Sequence, residues 1–454
     1  MEARSHARSV QRWLYRNYRH GSSVGFFVRR RVKPVAWLLL GVLGVSMMMG
    51  ANLRQSQVVA LSALVLGLLA VGAGWAFFRR ASVSGVRNLP DTGAVGDELR
   101  YQVRVTNRGK RTLHGMTLTD DSDDPRPTEW EFLNLKEPGE ETRNIFDRFF
   151  AFYRWKWLTE RGGKWTTTGS SKFLSLEPGE TKEVTLGLMP RRRGLLSLVN
   201  LRVELPDPFG LFQRLRPVAN EVGEVLVIPR RYQLPPLDLS GPSELKVGGE
   251  TASTVRGEGG EFMGLREYRP GDSLRKIHWK AWARTGQPIV KEFEEIRFPR
   301  YGLVLDTSLD QSGPELFEEA VSVAASFVST MDREQCLLDL MFVREEPKVV
   351  TAGRGVARAD RLMEVLARVE GNDEKGYESL GRLILKYAVE MTACVVVLTG
   401  WSEERKGFLS VLRRSGLSLK VYVIGVGERP DDEELGGVRW LRWDSVQEDL
   451  LTNR

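Results

Sequence analysis

The hydrophobic pattern of the chain begins with two apolar stretches near the amino terminus. Residues 34–53 and 55–78 carry no charged side chain, and Arg54 alone separates them. At about 1.5 Å per residue, each stretch is long enough as a helix to cross a hydrocarbon core about 30 Å thick. The pattern therefore predicts a membrane hairpin of two α-helices, with transmembrane helices at 34–54 and 55–78.

Basic residues flank the predicted hairpin at both ends. A basic cluster at 29–33 precedes the first stretch, and Arg79 and Arg80 follow the second. Because Lys and Arg accumulate on the cytoplasmic side of membranes, we expect a basic cytoplasmic tail at 1–33 and cytoplasmic soluble domains. A signal peptide is disfavoured because a second apolar stretch follows the first. Buried soluble helices are disfavoured because Trp37 and Trp75 resemble interfacial anchors.

After Arg80 the apolar positions alternate with polar ones. Between Leu99 and Val105 every second residue is apolar, which is the period of a half-buried strand. Similar strand patterns follow at 113–118, 184–188, 195–203 and 225–228. Short strands without helices between them favour an immunoglobulin-like antiparallel β-sandwich over 79–230, interrupted by an insertion at about 122–170.

The insertion differs in composition from the strands around it. Its segment "NIFDRFFAFYRWKWL" places aromatic residues along one face of a predicted helix, namely Phe146, Phe149, Phe150, Tyr153 and Trp157. Basic residues are distributed around the same helix. Two interpretations stay open: the helix lies in the lipid interface, or it folds onto the sandwich with exposed cationic tips.

The pattern changes again in the second half of the chain. Residues 231–263 are rich in Pro, Ser, Gly and Glu without periodicity, which predicts a linker before a distinct segment at 264–299. From Tyr301 onward, apolar runs of strand length alternate with helical stretches at about 313–332, 356–370, 377–389 and 403–415. This alternation predicts an α/β doubly wound domain over 300–454, with functional loops at the carboxyl ends of its strands.

Charge and cysteine content narrow the functional classes. The formal net charge of the 454 residues is +7. Residues 1–33 hold nine basic side chains against Glu2, so the rest of the chain is close to neutral. We therefore expect no nucleic-acid partner, because such a protein carries a basic footprint on its folded domains. Cys336 and Cys394 lie in apolar runs, which predicts reduced core thiols and neither a disulfide nor a metal site.

The segment 264–284, "GLREYRPGDSLRKIHWKAWAR", combines basic residues with tryptophans. The Pro270-Gly271 pair predicts a turn, after which Asp272 or Ser273 caps a helix that ends near Thr285. Such a helix has an apolar stripe, and it presents Lys276, Lys280 and Arg284 at i, i+4 and i+8 on another face.

Two roles are open for this segment. Exposed Lys276 and Lys280, together with Trp282, are candidates for contact with a partner protein. Alternatively, the acidic residues at 292–295 neutralise the basic ones in a structural network. We favour a structural role for Arg266, Tyr268 and Asp272, and a contact role for the lysines.

Together with the preceding "GEGGEF" and the earlier "PRRRGLLSLVNLRVELPDPFGLF", this segment resembles a bacterial membrane protein family, domain of unknown function 58. The residues that carry the resemblance are Arg266, Tyr268, Pro270, Gly271, Asp272, Arg275, Trp279 and Arg284. The resemblance implies a von Willebrand factor A-like terminal domain in a protein of the bacterial plasma (inner) membrane. It also implies a MoxR-type AAA+ ATPase as partner, and in some cases a transglutaminase-like membrane protein.

The von Willebrand factor A-like resemblance further implies a metal site. Its pattern is Asp-x-Ser-x-Ser with an aspartate at the end of a later strand. Asp306 and Ser308 match, but Asp310 stands at the fifth position and Gly400 replaces the later aspartate. This cage is incomplete for Mg²⁺, which demands near-ideal octahedral geometry. The alternatives are therefore no cofactor, with Asp306 and Ser308 capping the next helix, or a Mg²⁺ site at Asp306, Ser308 and Asp310.

Catalytic residues are not evident in the sequence. Ser273 and His278 are five residues apart, so they do not face each other on one helix. No glycine-rich phosphate loop with a following lysine occurs. The sequence thus favours a non-catalytic membrane-anchored adaptor that works with a MoxR-type ATPase in the assembly or maturation of other proteins. The alternative is a metal-dependent ligand-binding or catalytic protein that uses the Asp306 loop.

Overall fold

The computed structural model divides the chain into two compact units, Met1–Ile228 and Pro229–Arg454. Each unit has its own buried core. The described residues are 2–49, 56–122, 124–137, 139–169, 174–219, 221–236, 261–294, 300–309, 313–331, 336–343, 346–352, 357–372, 376–431 and 436–452.

Three helices open the first unit: α1 (Glu2–Arg31), α2 (Pro34–Met49) and α3 (Ser56–Phe78). Within the described chain, residues 57–78 form the one helix that is long and apolar enough to cross a membrane, by length and composition alone. The apolar helix α2 is shorter, and residues 50–55 lie outside the described part. One candidate membrane helix is therefore shown, while the two-span hairpin and its orientation stay predictions.

The predicted basic tail, 1–33, is instead a helix that packs on its own unit. The Trp155 ring lies 5.9 Å from the ring of Tyr15 and 5.7 Å from that of Tyr18, between centroids. Near the other end of α1, the Arg30 guanidinium pairs with the buried Asp121 carboxylate. The sequence pattern did not reveal this helix because its packing face meets a segment more than a hundred residues away.

Eleven strands follow in the first unit: β1 (Val83–Asn88), β2 (Thr92–Ala94), β3 (Leu99–Asn107), β4 (Leu113–Asp121), β5 (Trp165–Gly169), β6 (Leu174–Leu176), β7 (Thr181–Pro190), β8 (Gly194–Leu198), β9 (Asn200–Pro206), β10 (Gln213–Pro217) and β11 (Gly223–Ile228). They form sheets of order β1-β3-β7-β5, β10-β9-β4-β6 and β2-β11-β8. All pairings are antiparallel except that of β2 with β11.

The alternating residues of these strands bury one face of each sheet. Along β3 the buried positions are every second residue, as the sequence predicts. Val103 in the first sheet, Leu118 in the second and Val225 in the third belong to one buried cluster. An antiparallel β architecture with a shared core is therefore shown, and the immunoglobulin-like topology stays a prediction.

The insertion folds as α4 (Glu129–Asn134), a 3₁₀ turn at Glu140–Thr142, α5 (Ile145–Phe150) and α6 (Phe152–Gly162). The single aromatic helix expected here is wrong, because Ala151 adopts a left-handed conformation with φ of 51° and separates α5 from α6. The insertion also ends earlier than 170, since β5 belongs to the first sheet.

Packing within the first unit accounts for part of the aromatic residues of the insertion. Phe132 and Trp155 are buried against Tyr15 of α1, so these aromatic residues serve packing. Phe146 and Phe149 on α5 are exposed. Whether those exposed rings meet lipid stays a prediction.

A turn of the sandwich packs between the first helices. Leu211, in the turn between β9 and β10, is buried in a cluster with Leu43 of α2 and Leu69 of α3. A Cβ at Gly72 of α3 would lie 2.6 Å from the Asp207 carboxylate, so only glycine permits this approach. The apolar helices are thereby joined to the sandwich by direct packing rather than by a linker.

The second unit contains a six-stranded sheet of order β16-β15-β14-β17-β18-β19. Its strands are β14 (Arg300–Leu305), β15 (Leu337–Val343), β16 (Pro347–Ala352), β17 (Ala393–Thr399), β18 (Ser418–Gly425) and β19 (Val438–Arg442). All neighbours are parallel except β15 and β16. The accompanying helices are α8 (Gly313–Met331), α9 (Ala357–Arg368), α10 (Tyr377–Tyr387), α11 (Glu403–Arg414) and α12 (Val446–Leu451).

Helices cover both faces of this sheet, as the predicted doubly wound architecture requires. The Tyr422 ring of β18 lies 5.0 Å from the Phe327 ring of α8, between centroids. Val423, the next residue, belongs to a buried cluster with Ile384 of α10 and Leu409 of α11. Successive strand residues point to opposite faces, so α8 lies on one face and α10 with α11 on the other.

The cysteines and part of the predicted linker lie in this unit. Cys336 and Cys394 are free and buried, as predicted, and burial raises the pKa of Cys394 to about 12. Residues 231–236 are not a free linker, because the Tyr232 backbone N–H donates to the Ser326 hydroxyl of α8 at 2.7 Å. Residues 237–260 lie outside the described part.

The α1 contact leads to a first prediction. Substituting Trp155→Ala removes the ring that packs on Tyr15 and Tyr18, which we expect to destabilise the α1–insertion contact by about 3–5 kcal/mol. Hydrogen exchange of the α1 amides in the full-length protein measures this loss. The control is Trp130→Ala on α4, whose ring is 66% exposed. Equal exchange rates in both variants would show that α1 does not depend on this packing.

Candidate functional site

The segment that carries the family resemblance forms a separate two-stranded element. Strands β12 (Glu261–Glu267) and β13 (Ile289–Glu294) pair antiparallel, and a short helix, α7 (Trp279–Thr285), lies between them in sequence. We call residues 261–294 the signature arm. Ile277 and Val290 are buried and form a bridge, so the arm has its own small apolar contact.

A buried ion pair organises the turn of the signature arm. The Asp272 side chain is 6% exposed and accepts two hydrogen bonds from the Arg266 guanidinium, at 2.7 and 2.8 Å. The Arg269 backbone N–H donates to the same carboxylate at 2.8 Å. These hydrogen bonds raise the pKa of Arg266. Such a two-pronged arginine–carboxylate pair fixes orientation as well as distance.

The helix predicted to begin at Asp272 or Ser273 begins later. Residues 274–276 form a 3₁₀ turn, Ile277 is extended, and α7 starts only at Trp279. His278 caps α7, because its Nδ1 accepts from the Ala281 backbone N–H at 3.0 Å. The helix ends at Gly286, which has a φ of 71°. The break places Ile277 in the apolar contact with Val290, which a continuous helix would not allow.

This break also divides the predicted basic stripe. Lys276 lies before α7 and is half-buried, so it does not continue the row of Lys280 and Arg284. Those two residues are exposed at i and i+4 on α7. The predicted contact surface is therefore reduced to α7 and its neighbours.

Two tryptophans dominate the exposed surface of α7. The Trp279 ring is 64% exposed and stacks on the Trp282 ring, with centroids 5.4 Å apart and an interplanar angle of 21°. Leu274 in the preceding turn is also exposed. Because Lys280 and Arg284 lie on the same short helix, aromatic and cationic groups share one small surface.

The other signature residues lie in the turn that leads to α7. Tyr268 is half-buried, and its backbone N–H donates to the Pro288 carbonyl at 2.9 Å. Pro270 and Gly271 form the predicted turn, in which Gly271 has a φ of 104° that favours glycine. Arg275 is exposed. The turn residues thus join the end of β12 to the segment that leads into β13, and the exposed ones lie next to α7.

The second candidate site lies at the carboxyl end of β14. The Asp306 side chain is 2% exposed and is surrounded by hydrogen-bond donors. The Thr399 hydroxyl donates to it at 2.9 Å, and the Tyr377 hydroxyl lies 3.1 Å from both carboxylate oxygens. The Ser308 backbone N–H donates to it at 3.0 Å. Burial raises the pKa of Tyr377, and the Asp306 charge raises it further.

An internal cation completes this site. Arg405 of α11 is 1% exposed, and its Nε donates to the Asp306 carboxylate at 2.8 Å. A second guanidinium nitrogen, Nη2, donates to the Thr399 hydroxyl at 2.9 Å. Asp306 and Arg405 therefore form a buried ion pair that neutralises the carboxylate within the protein.

This arrangement does not fit the Mg²⁺ that the resemblance implies. The Asp306 oxygens are taken by donors and a guanidinium, which repels a metal ion, and Gly400 supplies no side chain. The buried Ser308 hydroxyl makes no hydrogen bond of ordinary geometry, although it lies near enough to the Tyr377 hydroxyl to act on that group's pKa. Asp310 lies outside the described residues, among which no cluster of three metal-binding side chains occurs.

The sequence predicted Asp306 but missed the residues that enclose it. Tyr377, Thr399 and Arg405 come from three separate elements whose approach depends on the strand order. One local feature was available: Arg405 stands in the first turn of α11, where a helix dipole disfavours a cation unless a buried carboxylate compensates.

Part of the chain is similar to a protein family model and to a bacterial protein. Residues 264–450 match the family model "Protein of unknown function DUF58", which covers the signature arm and the α/β domain. The uncharacterized protein YeaD of Bacillus subtilis (strain 168) is 29% identical over 103 residues. That match covers 23% of this chain and 25% of YeaD, so the chain spans about a quarter of that relative. Both matches agree with the resemblance of the signature segment.

Solved structures are similar at a low level. Proximal thread matrix protein 1 from the mussel byssus has a TM-score of 0.26, with 10% identity over 34% of this chain and 44% of that one. An aerotolerance-related membrane protein from Bacteroides fragilis has a TM-score of 0.24, with 13% identity over 34% and 94%. The CARDB domain of a Pyrococcus furiosus protein has a TM-score of 0.17, with 12% identity over 33% and 91%. The fold is defined by the observed strand order and not by these similarities.

The Asp306–Arg405 pair leads to a second prediction. Substituting Arg405→Met leaves the Asp306 charge buried and unpaired, which we expect to cost about 3–5 kcal/mol. Hydrogen exchange of the β17 and α11 amides in the full-length protein measures the loss. The control is Arg382→Met on α10, where the exposed pair with Glu378 should contribute less than about 1 kcal/mol.

Two further measurements test the Asp306–Arg405 ion pair. The double variant Asp306→Asn, Arg405→Met should lose less than Arg405→Met alone, because no charge is left buried. Added Mg²⁺ should leave the wild-type exchange rates unchanged. Slower exchange at β14 and β17 with Mg²⁺ would contradict the internal-cation interpretation and restore the metal site.

Proposed function

We propose that the chain is a non-catalytic, membrane-anchored adaptor whose signature arm binds a partner protein. The observation that carries this proposal is the exposed Trp279, stacked on the half-buried Trp282 beside Lys280 and Arg284, on an arm fixed by the Arg266–Asp272 ion pair. Tryptophan and arginine are the residues most enriched among those that dominate protein interfaces. The surface is also pre-organised, which lowers the entropy cost of binding.

The charge of this surface favours an acidic partner. Arg275, Lys280 and Arg284 are exposed around the tryptophans. An acidic partner surface would speed association by steering, and an aromatic-accepting pocket would hold the complex. The family resemblance suggests a MoxR-type AAA+ ATPase as this partner. A transglutaminase-like membrane protein is proposed as a further member of the same assembly.

The chemistry of the sites supports binding rather than catalysis. His278 uses Nδ1 as a helix cap, so that nitrogen does not serve as a base for Ser273. The Asp306 carboxylate is neutralised by Arg405. Two of the residues that the sequence offered for an enzyme, His278 and Asp306, are therefore engaged in structural contacts.

The membrane part of the proposal rests on the composition of the helices. Residues 57–78 have the length and apolar character of a spanning helix. We propose that α2 forms a second span and that the basic residues at 29–33 and 79–80 lie on the cytoplasmic side of a bacterial inner membrane. The signature arm would then meet cytoplasmic partners. The proposed role is assembly or maturation of other proteins.

The binding surface can be tested with the full-length protein in lipid nanodiscs and a purified MoxR-type ATPase of the same organism. The variant Trp279→Ala, Lys280→Glu, Arg284→Glu should weaken binding at least about a hundredfold, because a buried aromatic anchor and its charges are lost together. Binding measured by surface plasmon resonance, with and without ATP, gives the affinities.

A matched control on the same unit separates docking from net charge. Arg382→Glu with Lys386→Glu also reverses two exposed basic residues at i and i+4, on α10. This control should bind the ATPase nearly as well as the wild type. Equal affinity of all three proteins would remove the signature arm as the docking surface, and no binding by the wild type would remove this partner.

A further inference from the structure

The first unit contains a large groove where α3 meets the sandwich. The groove has a volume of about 1520 Å³. Its walls come from the last two turns of α3, the loop between β3 and β4, and the start of the turn between β9 and β10. All three belong to the same compact unit. The groove therefore lies where the candidate membrane helix ends and the sandwich begins.

One wall of this groove is apolar. Val71, Trp75 and Phe78 of α3 line it, and each of the three is more than half exposed. These residues belong to the part of the chain that is long and apolar enough to cross a membrane. A hydrocarbon chain of a lipid can lie along this apolar surface.

The other wall is strongly basic. Its cationic residues are Arg79, Arg80, Lys110, Arg111 and Arg216. Within the described chain, none of these five residues forms an ion pair. Arg79 already donates to the Pro206 and His114 carbonyls, so Arg80, Lys110, Arg111 and Arg216 are the cations that remain for an anion.

Two buried atoms in the groove residues also lack hydrogen-bond partners. The Arg216 Nε donor makes no hydrogen bond, and neither does the Asp207 Oδ2 acceptor. Asp207 is 4% exposed, and its other carboxylate oxygen accepts from the Leu211 backbone N–H at 2.7 Å. Both atoms are fully buried, and Oδ2 lies against Gly72, so they mark an unsatisfied polar contact behind the groove wall rather than groups that a ligand meets directly.

Arg80 and Arg216 of the basic wall lie close enough to Arg214 of β10 to act on its charge. Burial lowers the pKa of Arg214, and the neighbouring charges of Arg216 and Arg80 lower it further. This mutual repulsion is a cost that a bound anion would relieve. The arrangement is thus more favourable with a ligand than without one.

We propose that this groove binds the headgroup of an anionic glycerophospholipid, with the phosphate on the basic wall and an acyl chain along α3. The phosphate accepts hydrogen bonds from the arginine and lysine side chains. Basic pockets beside membrane helices at the cytoplasmic surface bind anionic lipids by this combination of charge and apolar contact.

The apolar wall distinguishes a lipid from a free phosphate ester. Inorganic phosphate would use the basic wall alone and make no use of the apolar surface of Trp75 and Phe78. A phospholipid uses both walls. The site rests on the membrane position of α3 within the proposed function, and it does not depend on the signature arm.

The test uses the full-length protein in a nonionic detergent after removal of native lipid. Phosphatidylglycerol is added to one sample, phosphatidylcholine with the same acyl chains to a second, and inorganic phosphate to a third. Thermal unfolding reports binding, because a ligand of the folded state raises the melting temperature. We expect a clear rise with phosphatidylglycerol and little change in the other two samples.

A charge-removing variant assigns the effect to the groove. In Arg80→Gln, Lys110→Gln, Arg111→Gln the three changed side chains are exposed, so the fold is retained. The phosphatidylglycerol concentration needed for half of the shift should rise at least about tenfold, since each interfacial cation contributes to attraction. The matched control removes Arg100, Arg104 and Lys182, which lie in ion pairs outside the groove. It should respond like the wild type.

The outcomes separate this proposal from the adaptor function. An equal shift with inorganic phosphate would replace the lipid by a free phosphate ligand, and an equal response of variant and wild type would remove the groove as the site. The groove variant should still bind the ATPase, and the signature-arm variant should still respond to phosphatidylglycerol. Loss of only one response identifies which proposal fails.

Discussion

The buried Asp306–Arg405 ion pair determines what the α/β domain can do. Open α/β sheets usually bind ligands at the carboxyl ends of their strands, where loops from neighbouring strands meet. Here the guanidinium of α11 lies at that edge, 2.8 Å from the carboxylate of β14, and both side chains are almost fully buried. Tyr377 and Thr399 use the remaining hydrogen-bonding capacity. At Asp306 the carboxylate is therefore satisfied by groups of the protein itself.

Other buried charges are also paired within the protein. Arg87 with Asp120, and Arg154 with Glu140, are buried pairs that join segments distant in sequence. These charges are neutralised by each other inside the folded protein. By contrast, two places combine cations that form no ion pair among the described residues with an exposed tryptophan, namely α7 of the signature arm and the groove beside α3. Each place thus combines a cation with an apolar surface that water solvates poorly.

Local patterns in the sequence predicted most of the elements but few of their contacts. The period of two along β3, and the apolar runs of β14 and β17, follow from burial on one or both faces. The α1 helix was missed because its aromatic face packs on an insertion far along the chain. Arg405 was missed for the same reason, since no local pattern shows that α11 brings it to β14. Long-range pairing depends on the strand order, which a single sequence does not show.

The break before α7 explains why the sequence Ile277-His278-Trp279 is arranged as it is. A continuous helix from Ser273 would turn Ile277 away from Val290, and the arm would lose its apolar contact. The extended Ile277 keeps that contact, and His278 then starts a new helix whose orientation is independent of the preceding turn. Trp279 and Trp282, three residues apart on this helix, stack on each other, and Trp279 is exposed. Ile277, which packs against Val290, and Trp279, which is exposed, are separated by one residue. The short segment can therefore serve both the apolar contact and the exposed surface.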